Sequence, residues 1–343
     1  MAYINIMKKT FCLLISVTLC LFFSAFVSCG VRSLYQEGDG ELDVLCTTFA
    51  PFDFARAVGG ERVTVTLLQD TGSDMHSYTP TAATLNALSS ADAFIYIGGV
   101  SDDAWVDNAI FAASNEELAS LRLIDEVEAV IAELEEDWND HEHQECDSED
   151  DHHEHENHDE HGDHEHGADE HIWVSPRNAI LCVEAICELF CKLDPDGAEI
   201  YKTNAEAYVE QLLELDAEYA AVVESLGQRT MVFADRFPFV YLMHDYKIPY
   251  VAAFSGCSTE VNASFEMQVG LVRRVRDEHL SFVVVTEGGD KAQAEAIASE
   301  TGCRVVALDS LQSVKRSDIQ EGLTYLDAMA KNLAILKEAA SWN

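Results

Sequence analysis

The stretch that decides the fold is DPDGAEIYKTNAEAYVEQLLELDAEYAAVVESLG, residues 194–227. Asp194-Pro195-Asp196 forms a helix start, and apolar side chains then recur three and four residues apart at Tyr201, Ala205, Tyr208, Leu212, Leu215, Tyr219, Val222 and Leu226, until Gly227 ends the pattern. Roughly thirty residues at 1.5 Å each make a rod of about 45 Å, the scale of a whole domain. A helix of that length between two lobes is a stiff strut, and a cleft built on it opens less than one hinged on flexible strands.

On its N-terminal side, Asp43 to Phe49 and Arg62 to Leu68 read as strands with a helix between them from Phe52 to Val58. A helix from Thr81 to Ser89 then precedes a buried strand from Ala93 to Gly98, and Ser101-Asp102-Asp103 is expected to cap the next helix, which carries Trp105. On the C-terminal side, strands are expected at Thr230 to Ala234, Tyr250 to Phe254, Ser281 to Thr286 and Arg304 to Leu308. Alternating strands and helices predict parallel sheets with ligand sites at strand C-termini. The expected architecture is α/β, with two Rossmann-like lobes at 42–193 and 228–343 joined by the helix of 194–227.

The 343 residues carry 62 acidic against 21 basic side chains, a net charge of −41. That balance argues against nucleic acid as a partner, because phosphates need Lys and Arg, and allows a role with cations. With 48% hydrophobic residues, the chain has enough apolar material for two packed lobes.

The chain starts with Lys8-Lys9, an apolar run from Phe11 to Val27, and Ser28-Cys29-Gly30. This reads as a secretion signal over residues 1–28, with a short transmembrane anchor as the competing reading. Cys29 after Ser28 resembles a bacterial lipobox, although Phe26 stands where Leu is usual. Residues 29–41 would then tether a lipid-anchored chain outside the cytoplasmic membrane, in the periplasm or at the cell surface. In that oxidising compartment Cys257 and Cys303, both in loop-like contexts beside strands, are expected to pair. Cys182, Cys187 and Cys191 lie within one amphipathic helix at spacings that do not stack three sulfurs, and read as small buried hydrophobes.

Residues 135–170 hold eighteen Asp and Glu and no Lys or Arg. Nine histidines fall among them: His141, His143, His152, His153, His155, His158, His161, His164 and His166. The tract has almost no apolar residues with which to offset ordering entropy, so it is expected to be a disordered loop. Its plain reading is a solvated acidic linker. Imidazole and carboxylate together are transition-metal ligands, however, and repetition gives many weak, exchanging sites, so a metal antenna is the fuller reading. A specific site needs ligands held on the lobes. His76, in a Gly-containing loop after the strand ending near Leu68, and His171, directly after the tract with Ser175 and Pro176 placed to open a helix, are the two candidates.

These segments resemble the metal-specific substrate-binding proteins of bacterial ABC importers, the ZnuA/TroA-like zinc and manganese receptors of solute-binding protein family 9. The carriers are the G-x-x-x-H-x-Y-x-P segment at Gly72 to Pro80, Gly98-Gly99 with Trp105, the D-x-H-x-W-x-x-P segment at Asp169 to Pro176, Asp194-Pro195, and Tyr201 with Asn204. The resemblance covers essentially the whole mature chain. It implies two α/β lobes joined by one long helix, a single divalent ion in the inter-lobe cleft, and delivery to a membrane permease. It also implies a third ligand where zinc members carry His and this chain has Asp235, the natural replacement. His244, nine residues further along an expected continuous helix, would face the opposite way, and His279 at a helix end reads as structural. The fourth ligand would be a carboxylate after the late strand, Asp290 or alternatively Glu287, with Asp290 favoured.

Two imidazoles and two carboxylates would leave a divalent ion formally neutral. Zinc suits such a set and the His-rich tract; manganese, which prefers more oxygen, is the alternative. The expected function is therefore a monomeric, lipid-anchored zinc receptor for an ABC permease, with a surface metal buffer or adhesin as the competing class. A zinc hydrolase is disfavoured, because no HExxH helix or nucleophile elbow is present.

Overall fold

The computed structural model describes residues 34–69, 72, 75–129, 168–227, 229–256 and 264–342. The expected signal segment, Cys29, the nine tract histidines and Cys257 lie outside the described residues. Among the described residues, no helix is long and apolar enough to cross a membrane.

The first lobe contains β1 (Tyr35–Glu37), β2 (Leu42–Cys46), α1 (Phe49–Gly59), β3 (Val63–Leu67), α2 (Ala82–Leu88), β4 (Ala93–Tyr96), α3 (Val100–Asp103), α4 (Val106–Ala113) and β5 (Ala119–Arg122). Its sheet runs β1-β3-β2-β4-β5. All its pairings are parallel except that of β1 with β3. The strand β1 falls within the stretch expected to be a tether; Gln36 pairs with Thr66 and gives the sheet an antiparallel edge. The helix α5 (Pro176–Leu193) follows, and then α6 (Ala198–Leu226).

The second lobe contains β6 (Met231–Phe237), α7 (Val240–Asp245), β7 (Tyr250–Ser255), α8 (Phe265–Asp277), β8 (Phe282–Thr286), α9 (Ala292–Thr301), β9 (Arg304–Leu308), α10 (Arg316–Gln320) and α11 (Tyr325–Ala340). Its sheet, in the order β7-β6-β8-β9, is parallel throughout. Every residue of β4 and of β8 is buried, as expected of parallel strands covered on both faces.

The helix α6 has 29 residues, about 43 Å at 1.5 Å per residue. Its buried side chains are the eight of the sequence stripe, Tyr201 through Leu226. Polar side chains fix its rotation at both ends. In the N-terminal half, the Tyr201 hydroxyl and the Arg62 guanidinium both donate to Asp194 Oδ2 at 2.6 Å, and Asn204 Nδ2 donates to the Val58 carbonyl at 3.0 Å. In the C-terminal half, the Tyr219 hydroxyl donates to the Met329 carbonyl of α11 at 2.8 Å, and the Tyr246 hydroxyl donates to Asp216 at 2.7 Å.

One hydrophobic cluster runs without a break from Val44 and Ile95 in the first sheet, through the α6 stripe, to Phe233, Val284 and Leu308 in the second. A smaller cluster around Leu271, Val283 and Ile297 packs α8 and α9 on the other face of the second sheet. Two lobes sharing one core cannot swing far apart without exposing it, so the fold favours a small motion between them.

The three cysteines of α5 sit as expected. Cys182 and Cys187 are buried, Cys191 is half-buried, all three are free thiols, and burial pushes Cys182 up to about 12. Cys303 is half-buried, and its expected partner lies outside the described residues.

Candidate metal centre

His76 sits in a single 3-10 turn, Met75–Ser77, seated by the buried Met75 side chain. The chain before it is tied down where Gly72, at φ +83°, donates its N–H to the Val314 carbonyl at 2.9 Å. His171 opens a second 3-10 turn whose Ile172, Trp173 and Val174 are all buried, and Ser175 and Pro176 start α5 as the sequence predicts. The Ser175 hydroxyl accepts from the N–H groups of Arg177 and Asn178. Both histidines therefore stand on short turns anchored by apolar neighbours, which holds their rings in one place.

The two rings meet edge to face with centroids 5.3 Å apart. His171 is fully buried; its Nδ1 lies 2.7 Å from Asp169 Oδ1, which also accepts the His171 N–H at 2.8 Å. His76 Nδ1 lies 2.9 Å from Glu170 Oε1 and 2.8 Å from Ser101 Oγ. A carboxylate against each Nδ1 puts the proton there and leaves the Nε2 lone pairs for another partner, as when a carboxylate orients an imidazole toward a metal ion.

Burial alone would raise the Glu170 carboxyl. The hydrogen bond with His76, the electrostatic effect of the His171 ring and two donors from Ser101 outweigh it and hold the group down to about 2. The glycines of the Gly98-Gly99 pair make this possible. Gly99 takes φ +88°, and a Cβ there would stand 2.8 Å from Glu170 Cβ. Ser101 to Asp103, expected to cap a helix, lie inside or at the end of the short α3; Gly99 takes the cap position instead, and the Ser101 hydroxyl turns to the imidazole cluster.

Asp235 lies near the C-terminal end of β6, which runs further than the sequence suggests, at a shift of register between Phe233 and Arg236. Such an irregularity re-aims a side chain, and the Asp235 carboxylate accepts the Thr286 N–H at 2.9 Å. Burial pushes its pKa up to about 7 against the lowering effect of the Thr286 donors. Asp235, Asp290, Thr286, Ser310, Gln312 and Gly72 line one cavity of about 320 Å³.

Asp290 is exposed on the cavity wall, where its Oδ1 accepts from the Ala292 N–H at 2.9 Å. The Glu287 carboxylate is held by Lys331 Nζ at 2.9 Å. The helix expected to run continuously from Asp235 to His244 is broken: strand extends to Phe237 and α7 starts at Val240. His244 is exposed on α7 beside Asp245. His279 follows α8 with φ +52°, a helix-terminating position.

The structure thus brings His76 and His171 together and lines an adjoining cavity with Asp235 and Asp290. Among the described residues, no three His, Cys, Asp or Glu side chains group as a metal-holding cluster. The group facing both imidazoles is one the sequence reading missed, Gln312. Its Nε2 lies 3.4 Å from His76 Nε2 and makes a close contact with His171 Nε2. The sequence also assigns no partner role to Glu170, the end of the acidic stretch, or to Asp169, which it marks only as the start of the D-x-H-x-W-x-x-P segment.

Asp102, beside this cluster, gives a test of the local electrostatics. Its buried carboxylate accepts the Gly98 N–H at 3.1 Å, and burial, reinforced by the charge of Glu170, pushes its pKa up to about 7. A carboxyl whose folded pKa is raised stabilises the fold fully below its unfolded pKa and loses that contribution as pH rises through the folded value. Asp102→Asn is therefore expected to flatten the fall in stability between pH 5 and 8 by roughly 2 kcal/mol. Urea unfolding across that range in the presence of a chelator checks it, and an unchanged slope refutes it.

A family model described as zinc-uptake complex component A, periplasmic, matches residues 44–339. The zinc-binding lipoprotein AdcA of Streptococcus pneumoniae strain R6 is 30% identical over 332 residues, covering 97% of this chain and 61% of that protein. The chain thus spans about three fifths of the length of that streptococcal relative. The high-affinity zinc uptake system protein ZnuA of Bacillus subtilis is 26% identical over 320 residues, 92% of this chain and 94% of that one. The crystal structure of the Zn(II)-bound ZnuA-like domain of the pneumococcal AdcA matches with a TM-score of 0.67 at 25% identity, covering 88% of this chain and 99% of that domain.

Proposed function

This chain belongs to the family of periplasmic zinc-uptake component A proteins, and from that premise we propose that it captures zinc outside the cytoplasmic membrane and presents it to an ABC permease. The observation that carries this reading is the pair of imidazoles with a carboxylate on each Nδ1 and both Nε2 atoms turned to one neighbour. His76, His171 and Asp235 would hold the ion. Desolvation of Asp235, which penalises its charge in the protein alone, is relieved by a bound cation. The ion is cargo, and the body acts as a receptor rather than an enzyme.

The His-rich tract, by this reading, raises the local concentration of zinc near the cleft, and its carboxylates keep that supply close. Cys29 would carry the lipid anchor, and the receptor would act as a monomer.

The test is competitive titration of zinc and manganese into the full chain and into a chain lacking residues 141–166. Both are expected to keep one tightly bound zinc against excess manganese, with the deletion losing only weaker additional zinc. Loss of all tight binding on deletion would place the specific site in the tract and overturn the antenna. Preference for manganese in both would overturn zinc as the cargo.

A further inference from the structure

The loop after β9 is held more firmly than a connector requires. The Asp309 N–H donates to Asn332 Oδ1 at 2.8 Å, and Asn332 Nδ2 returns a bond to the Asp309 carbonyl at 2.7 Å. The Ser310 carbonyl accepts from Trp173 Nε1 at 2.8 Å, from the same turn that carries His171. Leu311 is buried at φ +61°, a left-handed conformation that costs a γ-branched residue about 1 kcal/mol or more. The Gln312 carbonyl accepts from the buried Gln69 side chain at 2.6 Å, joining this loop to the strand that leads to His76. Anchors on both lobes and a strained residue converge on one side chain, the Gln312 amide, which faces both Nε2 atoms.

We propose that Gln312 is an ion-contacting residue of this site, a neutral amide from the loop after β9 taking the part that the sequence assigns to a carboxylate after β8, Asp290 or Glu287. The proposal rests on the zinc reading above. An amide nitrogen offers two hydrogens and no lone pair, so in one orientation it donates to the imidazole lone pairs and keeps the rings facing each other. Turned over about its last side-chain torsion, the amide puts Oε1 in the same place, where it serves as a metal ligand.

Its neutrality changes the charge arithmetic. With Asp235 as the one carboxylate in contact with the ion, a divalent cation keeps a formal charge of +1 in that inner set. Asp169 and Glu170 compensate from behind the imidazoles, through Nδ1. Two nitrogens, an amide oxygen and one carboxylate favour zinc over a hard ion such as manganese, which gains more from anionic oxygen. Gln312 is thereby a selectivity residue as well as a ligand.

Zinc and manganese affinities of the full chain, measured against a competing chelator, test this with Gln312→Leu and Gln312→Glu. Leucine keeps the size without a donor and is expected to weaken zinc about tenfold or more. Glutamate is expected to strengthen manganese about tenfold, so that the zinc-to-manganese ratio falls. In crystals of the zinc-loaded protein, Gln312 Oε1 is expected at about 2.0–2.2 Å from the ion. Thermal melts in chelator separate misfolding from lost ligation, and Gln312→Glu serves if the leucine variant does not fold. The proposal is overturned if the folded variants bind both ions as the parent does, or if Gln312 stands clear of the bound zinc. If His171→Ala also retains tight zinc, it is the underlying site reading that has failed.

Discussion

His171→Ala is expected to abolish tight zinc binding, weakening it by about a thousandfold, near 4 kcal/mol on the binding scale. The loss has two sources. The imidazole is a direct donor, and its removal leaves Asp169, 5% exposed, without the ring nitrogen that occupies its Oδ1. Because the second effect costs stability, the companion variant is His76→Ala, at a position whose ring is 16% exposed and whose loss leaves Ser101 to satisfy Glu170. Chelator competition on both variants, with circular dichroism as the control for folding, is decisive. A folded His76 or His171 variant that still holds zinc as the parent does would remove these residues from the site.

Asp53→Ala is expected to cost about 3–5 kcal/mol of stability, the range for breaking a buried charged network by removing one partner. Asp53 is 2% exposed and accepts from Arg56 at 2.6 Å, from the Tyr208 hydroxyl of α6 at 3.1 Å and from the Tyr325 N–H of α11 at 2.9 Å. Burial raises its pKa, while Arg56, Tyr325 and Tyr208 act to lower it. One carboxylate thus ties α1, the long helix and the C-terminal helix together. Asp53→Asn keeps an acceptor and loses the charge, so it should fall between the parent and alanine. Urea denaturation of the three proteins orders them, and a loss below about 1 kcal/mol for alanine would show that the network is dispensable.

The long helix was legible because its signal is local: a 3.6-residue period over eight positions needs no partner to be seen. His76 and His171 were legible because each stands in a turn-forming segment beside the His-rich tract and within the segments that carry the family resemblance. Gln312 was not. Its role arises from a meeting with His76 across 236 positions of sequence, and an isolated glutamine in a loop carries no periodicity, charge or motif. Asp235 could be placed at the end of a strand from sequence, but the register shift that aims it depends on pairing with β7. The short edge strands β1 and β5 escaped for a related reason. Tyr35–Glu37 and Ala119–Arg122 have partly exposed, mixed side chains and become strands only where a neighbour offers its edge.

The bond between Asp53 and Tyr325 joins residues 272 positions apart. At a synthesis rate of roughly 5–20 residues per second, about 15–55 s separate the appearance of the two partners from the ribosome. Over that interval the nascent chain lacks the helix whose Tyr325 completes the Asp53 network. The first lobe therefore cannot gain all of its tertiary bonds in the order in which it is made, and one of its locks is supplied by a distant part of the chain.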